Sequence, residues 1–217
     1  MNKGFIFDLD GVIVDTAKYH YVAWKKIAND LDFDFTLAQN ELLKGVSRLK
    51  SLDILLNIGG ITKSDSERNM LATQKNELYL ELIEKLDFND LLPGSKIFIE
   101  NAKDQAIKIA LGSASKNAAY ILKKLGIAHL FDARIDGTMV SNAKPDPEVF
   151  TKAAKLLDLN PTNCLVFEDA QAGIDAAKNA GMKCIGIGDK QVLHRANLVV
   201  TGLDKITVPQ ALEILKK

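Results

Sequence analysis

Three segments of this chain constrain its fold more than anything else in it. "GFIFDLDG", "IKIALGSASKN" and "CLVFEDAQAG" each open on a short apolar run, pass at once into a polar signature and lead toward a helical pattern. A strand with one solvated face alternates apolar and polar residues. A run without that alternation suits a strand covered on both faces, as in parallel α/β sheets. A fourth segment, "KCIGIGD", has the run and the glycine with a weaker sequel. Between the runs lie helical patterns such as "KNAAYILKKLGI" and "DPEVFTKAAKLLDL". This alternation predicts an α/β fold, a doubly wound parallel sheet with right-handed crossovers. Ligands of such sheets bind beyond the carboxyl ends of the strands, where every polar signature falls.

Residues 15–92 break the rhythm. They read as helices ("TAKYHYVAWKKIANDL", "LAQNELLKGV", "RLKSLDILLNIGG", "SDSERNMLATQKNELYLELIEKL") until "LLPGS" punctuates the return. The expected organisation is an α/β core of residues 1–14 and 93–217, with an inserted helical cap of residues 15–92. Both linkers start beside the first strand's carboxyl end, so the cap should overhang the site like a lid.

The polar signatures hold complementary charges. Asp8 and Asp10, read as the end of a strand, share a face, and like charges at roughly 4 Å repel by about 4 kcal/mol at an effective dielectric near 20. Either an Asx-type turn closes the strand here, with Gly11 allowing the bend, or a hard cation offsets the repulsion. Magnesium prefers one or two carboxylates with phosphate oxygens and water, which calls for a second acidic cluster. Glu168 and Asp169 supply one at the end of another run, where each can also serve simply as a helix cap. Ser113, with Ser115, Lys116 and Asn117 leading into a helix, suits either an anion site or an N-cap. Lys144, held between Asn142 and the two prolines of "KPDP", is either a solvated loop lysine or the fixed cation that two carboxylates and a phosphate require.

Composition removes other classes. Lys+Arg and Asp+Glu both number 28 in 217 residues, so net charge argues for neither nucleic acid nor an anionic membrane as partner. No stretch approaches the roughly 20 apolar residues of a membrane span, and the start shows no secretory pattern. A cytoplasmic monomer is expected, with Cys164 and Cys184 as buried reduced thiols.

Taken in order, "DLDGV", the serine of "SASK", the lysine of "KPDP" and the pair "ED" resemble the four motifs of the haloacid dehalogenase superfamily of phosphotransferases, with its Rossmann-like core. The resemblance implies Asp8 as nucleophile, Asp10 as general acid/base, and Ser113 and Lys144 on the transferring phosphate. It also implies Mg²⁺ held by Asp8, the Asp10 carbonyl and Asp169, with Glu168 in or next to that shell. The cap motifs "DTAKYHYVAW" and "LKGVSR", together with "SASKN", are similar to the β-phosphoglucomutase family. That similarity implies a mutase interconverting β-D-glucose 1-phosphate and glucose 6-phosphate, with β-glucose 1,6-bisphosphate as intermediate and phosphorylating activator. A sugar-phosphate phosphatase on the same scaffold is the alternative, and a non-catalytic binding protein is disfavoured because Asp8 and Asp10 are both present. Arg48, Ser115, Lys116 and Asn117 are then expected on the non-transferring phosphate, with Ala114 beside them. Lys44, Gly45, Val46, Ser47 and Ser51 are expected at the sugar. His20 is expected to link lid closure to Asp10, with Thr16, Trp24 and Lys75 in support. Ala170 departs from the serine common after the acidic pair.

Overall fold

The computed structural model describes residues 2–216. Six strands, β1 (Gly4–Phe7), β2 (Lys108–Gly112), β3 (Ala133–Ile135), β4 (Cys164–Glu168), β5 (Lys183–Ile187) and β6 (Leu198–Val200), form one sheet among the described residues. Its order is β3-β2-β1-β4-β5-β6, and all five pairings are parallel. The chain winds outward from β1 to β3, then returns to the other side of β1 to lay down β4. The carboxyl ends of β1 and β4 therefore flank the switch in winding direction, where a crevice forms.

The apolar runs are explained by cover on both faces. Phe5, Phe7, Ile109, Leu111, Leu165 and Phe167 belong to one buried cluster, and Ile6, Ala110, Cys164, Val166 and Cys184 to another. Phe7 and Phe167 stack with centroids 4.6 Å apart. Helices α5 (Ser95–Asp104), α6 (Ala118–Lys124) and α9 (Val208–Lys216) supply residues to the first cluster, and α7 (Glu148–Leu156) and α8 (Gln171–Asn179) to the second. Both cysteines are free and buried, as expected.

The insert contributes α1 (Ala17–Asp30), α2 (Leu37–Asn40), α3 (Arg48–Ile58) and α4 (Asp65–Ile83). On α1, Ala23, Trp24, Ile27 and Ala28 recur at helical spacing and are buried. Trp24, Ile27 and Ala28 meet Leu52, Leu55 and Leu56 of α3 and Leu71 and Ala72 of α4 in a third apolar cluster, while Ala23 joins the cluster on the sheet. A capping box starts α4: Ser64 accepts from the Glu67 N–H while Glu67 accepts from the Ser64 N–H. The far end of α4 behaves differently, since Tyr79 and Ile83 join the cluster on the sheet. The chain enters and leaves the insert side by side. Val14 pairs with Leu91 as an antiparallel bridge, and the Leu92 N–H donates to the Ile13 carbonyl at 2.9 Å.

Candidate active site

One expectation about the carboxylates needs correction. Strand β1 stops at Phe7, so Asp8 and Asp10 lie in the loop beyond it and are not successive same-face residues of a strand. The loop curls because the Leu9 carbonyl accepts from Ile13 at 2.9 Å and the Gly11 N–H reaches the Val14 carbonyl at 2.8 Å. The Asp8 N–H donates to the Phe167 carbonyl at 2.9 Å, which seats Asp8 at the β1–β4 crevice. Lys144, 3 % exposed, comes from the loop before α7 and donates to Asp8 at 2.6 Å and Glu168 at 2.8 Å. Burial alone would lower the lysine's pKa, but the two carboxylates outweigh it and hold the ammonium well above its usual range.

Asp8, Glu168 and Asp169 each offer an oxygen, and these atoms lie within 4.8 Å of one another. Burial pushes the Glu168 and Asp169 carboxyls upward, and Asp8 adds to the effect. An all-oxygen, acid-rich donor set suits a hard divalent cation, which would reverse both shifts. The backbone is shaped to the carboxylates as well. A Cβ on Gly11, whose φ is +79°, would lie 2.1 Å from Asp169 Oδ2, and one on Gly173 would lie 2.0 Å from Glu168 Oε2. Glu168 is already engaged, since Oε2 accepts from Lys144 and Oε1 from the Ala170 N–H at 3.2 Å. That leaves Asp8 and Asp169 as the freer carboxylates for a cation.

Asp10 has a separate environment. Its pKa is raised from 3.8 to about 7, first by burial and then by Asp8. Thr16 is fully buried and its hydroxyl donates to Asp10 Oδ1. The threonine thus supports the carboxyl from behind and does not line the cavity. His20 lies one turn on, stacked on Tyr79 with centroids 4.1 Å apart. Burial, then Lys75 and Arg48, hold the imidazole well below its normal pKa. Neutral His20 can therefore accept from Lys75 through Nδ1, at 2.7 Å. Lys75 itself is only 2 % exposed, and burial brings its pKa down to about 7. Its ammonium lies 4.9 Å from the Trp24 ring centroid.

A cavity of about 850 Å³, open mouth included, separates the insert from the carboxyl ends of the strands. From the core it is lined by Asp8, Asp10, Ser113, Ala114, Ser115, Lys116, Asn117 and Asp169. From the insert come His20, Trp24, Lys44, Gly45, Val46, Arg48, Ser51 and Lys75. The Ser113 N–H donates to the Ile135 carbonyl at 3.0 Å, tying the serine to β3. Its hydroxyl accepts from the Ser115 N–H at 3.1 Å, and the Ser115 hydroxyl accepts from the Asn117 N–H at 3.2 Å. Lys44 reaches across to Asp169 at 3.9 Å. The Arg48 side chain enters no hydrogen bond or ion pair among the described residues, so its guanidinium fork is free to meet an anion.

One further placement differs from expectation. Ser47 lies outside this cavity because its hydroxyl caps α3, accepting from the Lys50 N–H at 3.4 Å, and it lines the neighbouring cleft. Lys144 and Glu168 pack beneath Asp8, behind the wall. Sequence reading missed Ala17, Asn40, Leu43 and Asn76 at the wall. Nothing marks the first three in a helical pattern. Asn76 had a signal only in adjoining Lys75.

A haloacid dehalogenase-like hydrolase family model matches residues 2–181. The chain is 46% identical over 208 residues to the β-phosphoglucomutase of Bacillus subtilis strain 168, covering 95% of this chain and 92% of that one. It is also 30% identical over 186 residues to a phosphorylated carbohydrates phosphatase of Thermotoga maritima, covering 84% and 83%. Among solved structures, the β-phosphoglucomutase of Clostridium difficile superposes with a TM-score of 0.95 at 44% identity, covering 100% of this chain and 98% of that one. With its parallel sheet, its acid-lined crevice and its inserted helices, the chain belongs to the haloacid dehalogenase-like hydrolase family, among the relatives of the β-phosphoglucomutases.

Proposed function

We propose that this chain is a β-phosphoglucomutase, interconverting β-D-glucose 1-phosphate and glucose 6-phosphate through a phosphorylated Asp8 and β-glucose 1,6-bisphosphate. The observation that carries the reading is one cavity with two sets of anion-binding groups. Ser113, with Lys144 beneath the neighbouring Asp8, forms one, and Arg48 with Ser115, Lys116 and Asn117 forms the other. A phosphatase needs only the first. The high identity to a curated β-phosphoglucomutase over nearly the whole chain supports the same reading.

In this mechanism the phosphorylated Asp8 faces the 6-hydroxyl of β-glucose 1-phosphate. As the hydroxyl oxygen bonds to phosphorus, Asp10 takes its proton and the Asp8 carboxylate leaves. The bisphosphate turns end for end, and Asp8 attacks the phosphorus on the 1-oxygen. Protonated Asp10 gives its proton to that oxygen, releasing glucose 6-phosphate and restoring phosphorylated Asp8. A carboxyl with a pKa of about 7 can act in both directions near neutral pH. Thr16 fixes the Asp10 rotamer, and neutral His20 with Lys75 ties α1 to α4 within the insert above it. The insert excludes water, which favours transfer to sugar over hydrolysis. Mg²⁺, held by Asp8, Asp169 and the Asp10 carbonyl with Glu168 beside them, would neutralise phosphate charge and so stabilise transfer. The free, buried cysteines suit a reducing cytoplasm, and no helix among the described residues is long and apolar enough to cross a membrane. We also infer that the enzyme acts as a monomer, because a single chain supplies both anion sites and the acid/base.

The test supplies β-glucose 1-phosphate, Mg²⁺ and a trace of the 1,6-bisphosphate, and follows glucose 6-phosphate and free phosphate together. Glucose 6-phosphate should dominate; phosphate release outpacing it would make the enzyme a phosphatase. Arg48→Ala should raise KM for the sugar phosphate at least tenfold, as loss of a bidentate phosphate contact implies. Unchanged mutase kinetics in that variant would remove Arg48 from the distal site.

A further inference from the structure

Asn76 follows Lys75 on α4, in a stretch of charged and polar residues that reads as solvated. Yet its Oδ1 accepts from Asn117 Nδ2 at 2.9 Å, across the cleft between insert and core. Both residues line the cavity. Asn117 is also held from the core side, through its N–H to the Ser115 hydroxyl and from there to Ser113. A hydrogen-bonded chain thus runs from the end of β2, through the "SASKN" turn, to the cap helix.

The other polar contacts between the α4 end of the insert and the core join Glu84 to Tyr120 and Lys124, beyond the helix's last turn. The Asn76–Asn117 bond is different because it lies at the cavity. A carboxamide is planar, so fixing one N–H of Asn117 on Asn76 fixes the direction of the second. That second N–H and the Asn117 side-chain oxygen Oδ1 have no protein partner among the described residues.

We propose that Asn76 is a positioning residue that couples occupancy of the distal phosphate subsite to closure of the cap. The bond to Asn117 forms only when α4 lies over the core, and it aims the remaining Asn117 N–H at an oxygen of the non-transferring phosphate. By linkage, a phosphate that favours this orientation favours closure by the same factor. Closure then senses whether the bound molecule carries a phosphate at its far end, and water or a donor with one phosphate does not trigger it. The inference rests on the mutase reading, in which Asn117 meets that phosphate.

The test uses Asn76→Ala, Asn117→Ala and the double variant in the full chain with saturating Mg²⁺. Three quantities are read: KM and kcat for β-glucose 1-phosphate, the share of turnover lost as free phosphate, and the rate at which acetyl phosphate phosphorylates Asp8. In the last, the bond from phosphorus to the acetyl oxygen breaks as the Asp8–phosphorus bond forms and acetate leaves. Asn76→Ala should raise KM roughly three- to tenfold, the range of one hydrogen bond, and increase the phosphate share, with the acetyl phosphate rate unchanged. The double variant should be no worse than Asn117→Ala. Additive losses, an unchanged KM, or an equal slowing of the acetyl phosphate reaction would each overturn the coupling. A wild-type enzyme that makes no glucose 6-phosphate would instead defeat the mutase reading itself.

Discussion

Lys144→Met removes a buried charge while keeping most of the side chain's volume, and its cost can be worked from the geometry. The ammonium lies 2.6 Å from Asp8 and 2.8 Å from Glu168. At an effective dielectric near 20, each contact is worth about 6 kcal/mol of gross attraction. Burying the ammonium offsets several kcal/mol of this. Without it, Asp8, Glu168 and Asp169 confront one another, and the protein responds by binding protons, which limits the loss to about 3–5 kcal/mol. Lys144 stays charged across the neutral range because its pKa is raised, so any pH dependence of the variant's deficit comes from the carboxyls. The folded pKa values of Glu168 and Asp169, already raised to about 8, rise further in the variant. The deficit should therefore be smaller at pH 5, where Glu168 and Asp169 are protonated in both proteins, and grow as pH rises through about 8, where these carboxyls ionise in the wild type and stay protonated in the variant. Urea unfolding in EDTA at both pH values measures it, and Mg²⁺ should restore part of the loss by replacing the missing positive charge. A deficit under about 1 kcal/mol, or one equal at both pH values, would refute the charge balance drawn around Asp8.

The wild-type chain carries a related signature. Asp10 has a folded pKa of about 7 against an ordinary 3.8, and Glu168 and Asp169 shift in the same direction. The stability these neutral acids contribute is full below about pH 3.8 and lost as pH rises through about 7 for Asp10 and about 8 for Glu168 and Asp169, so Tm in EDTA should fall across that window. The Tm gain on adding Mg²⁺ should grow over the same range, and a pH-independent gain would contradict a carboxylate cation site. Gly11→Ala would bring a Cβ to 2.1 Å from Asp169 Oδ2. Its Mg²⁺ affinity by calorimetry should drop by about tenfold or more, as for a disturbed ligand support, whereas unaltered affinity would exclude Asp169 as a ligand. Trp24, the sole tryptophan, lines the cavity. Its emission should change saturably with β-glucose 1-phosphate, and a flat titration would place the sugar elsewhere.

The same residues show where sequence reading succeeds and where it stops. The four apolar runs became β1, β2, β4 and β5, because a strand buried on both faces must be apolar at every position. The edge strands β3 and β6 went unread: each spans three residues, and with only Ile135 fully buried among them there is no run to see. In the site, Asp8, Asp10, Ser113, Lys144, Glu168 and Asp169 were legible because each adjoins a strand end or a rigid proline loop, and chemistry there is local. The insert was harder. Lys75 and Asn76 lie in a polar helix whose apolar residues follow no clear stripe, and only its packing against α1 and α3 at one end and the sheet at the other turned them inward. Ser47 turned the other way, because its hydroxyl was needed to cap α3.

Local pattern was therefore enough to specify a parallel sheet, the acids and the lysine at its crevice, and a helical insert above them. Side-chain period and strand-end position are short-range properties, carried within a few residues. Tertiary packing alone decided which groups of the insert face those acids, that Thr16 supports Asp10 from behind, and that Asn76 meets Asn117 across 41 residues of chain. Such contacts depend on the rotation and tilt of whole helices, and these are fixed by the burial of side chains far from the site.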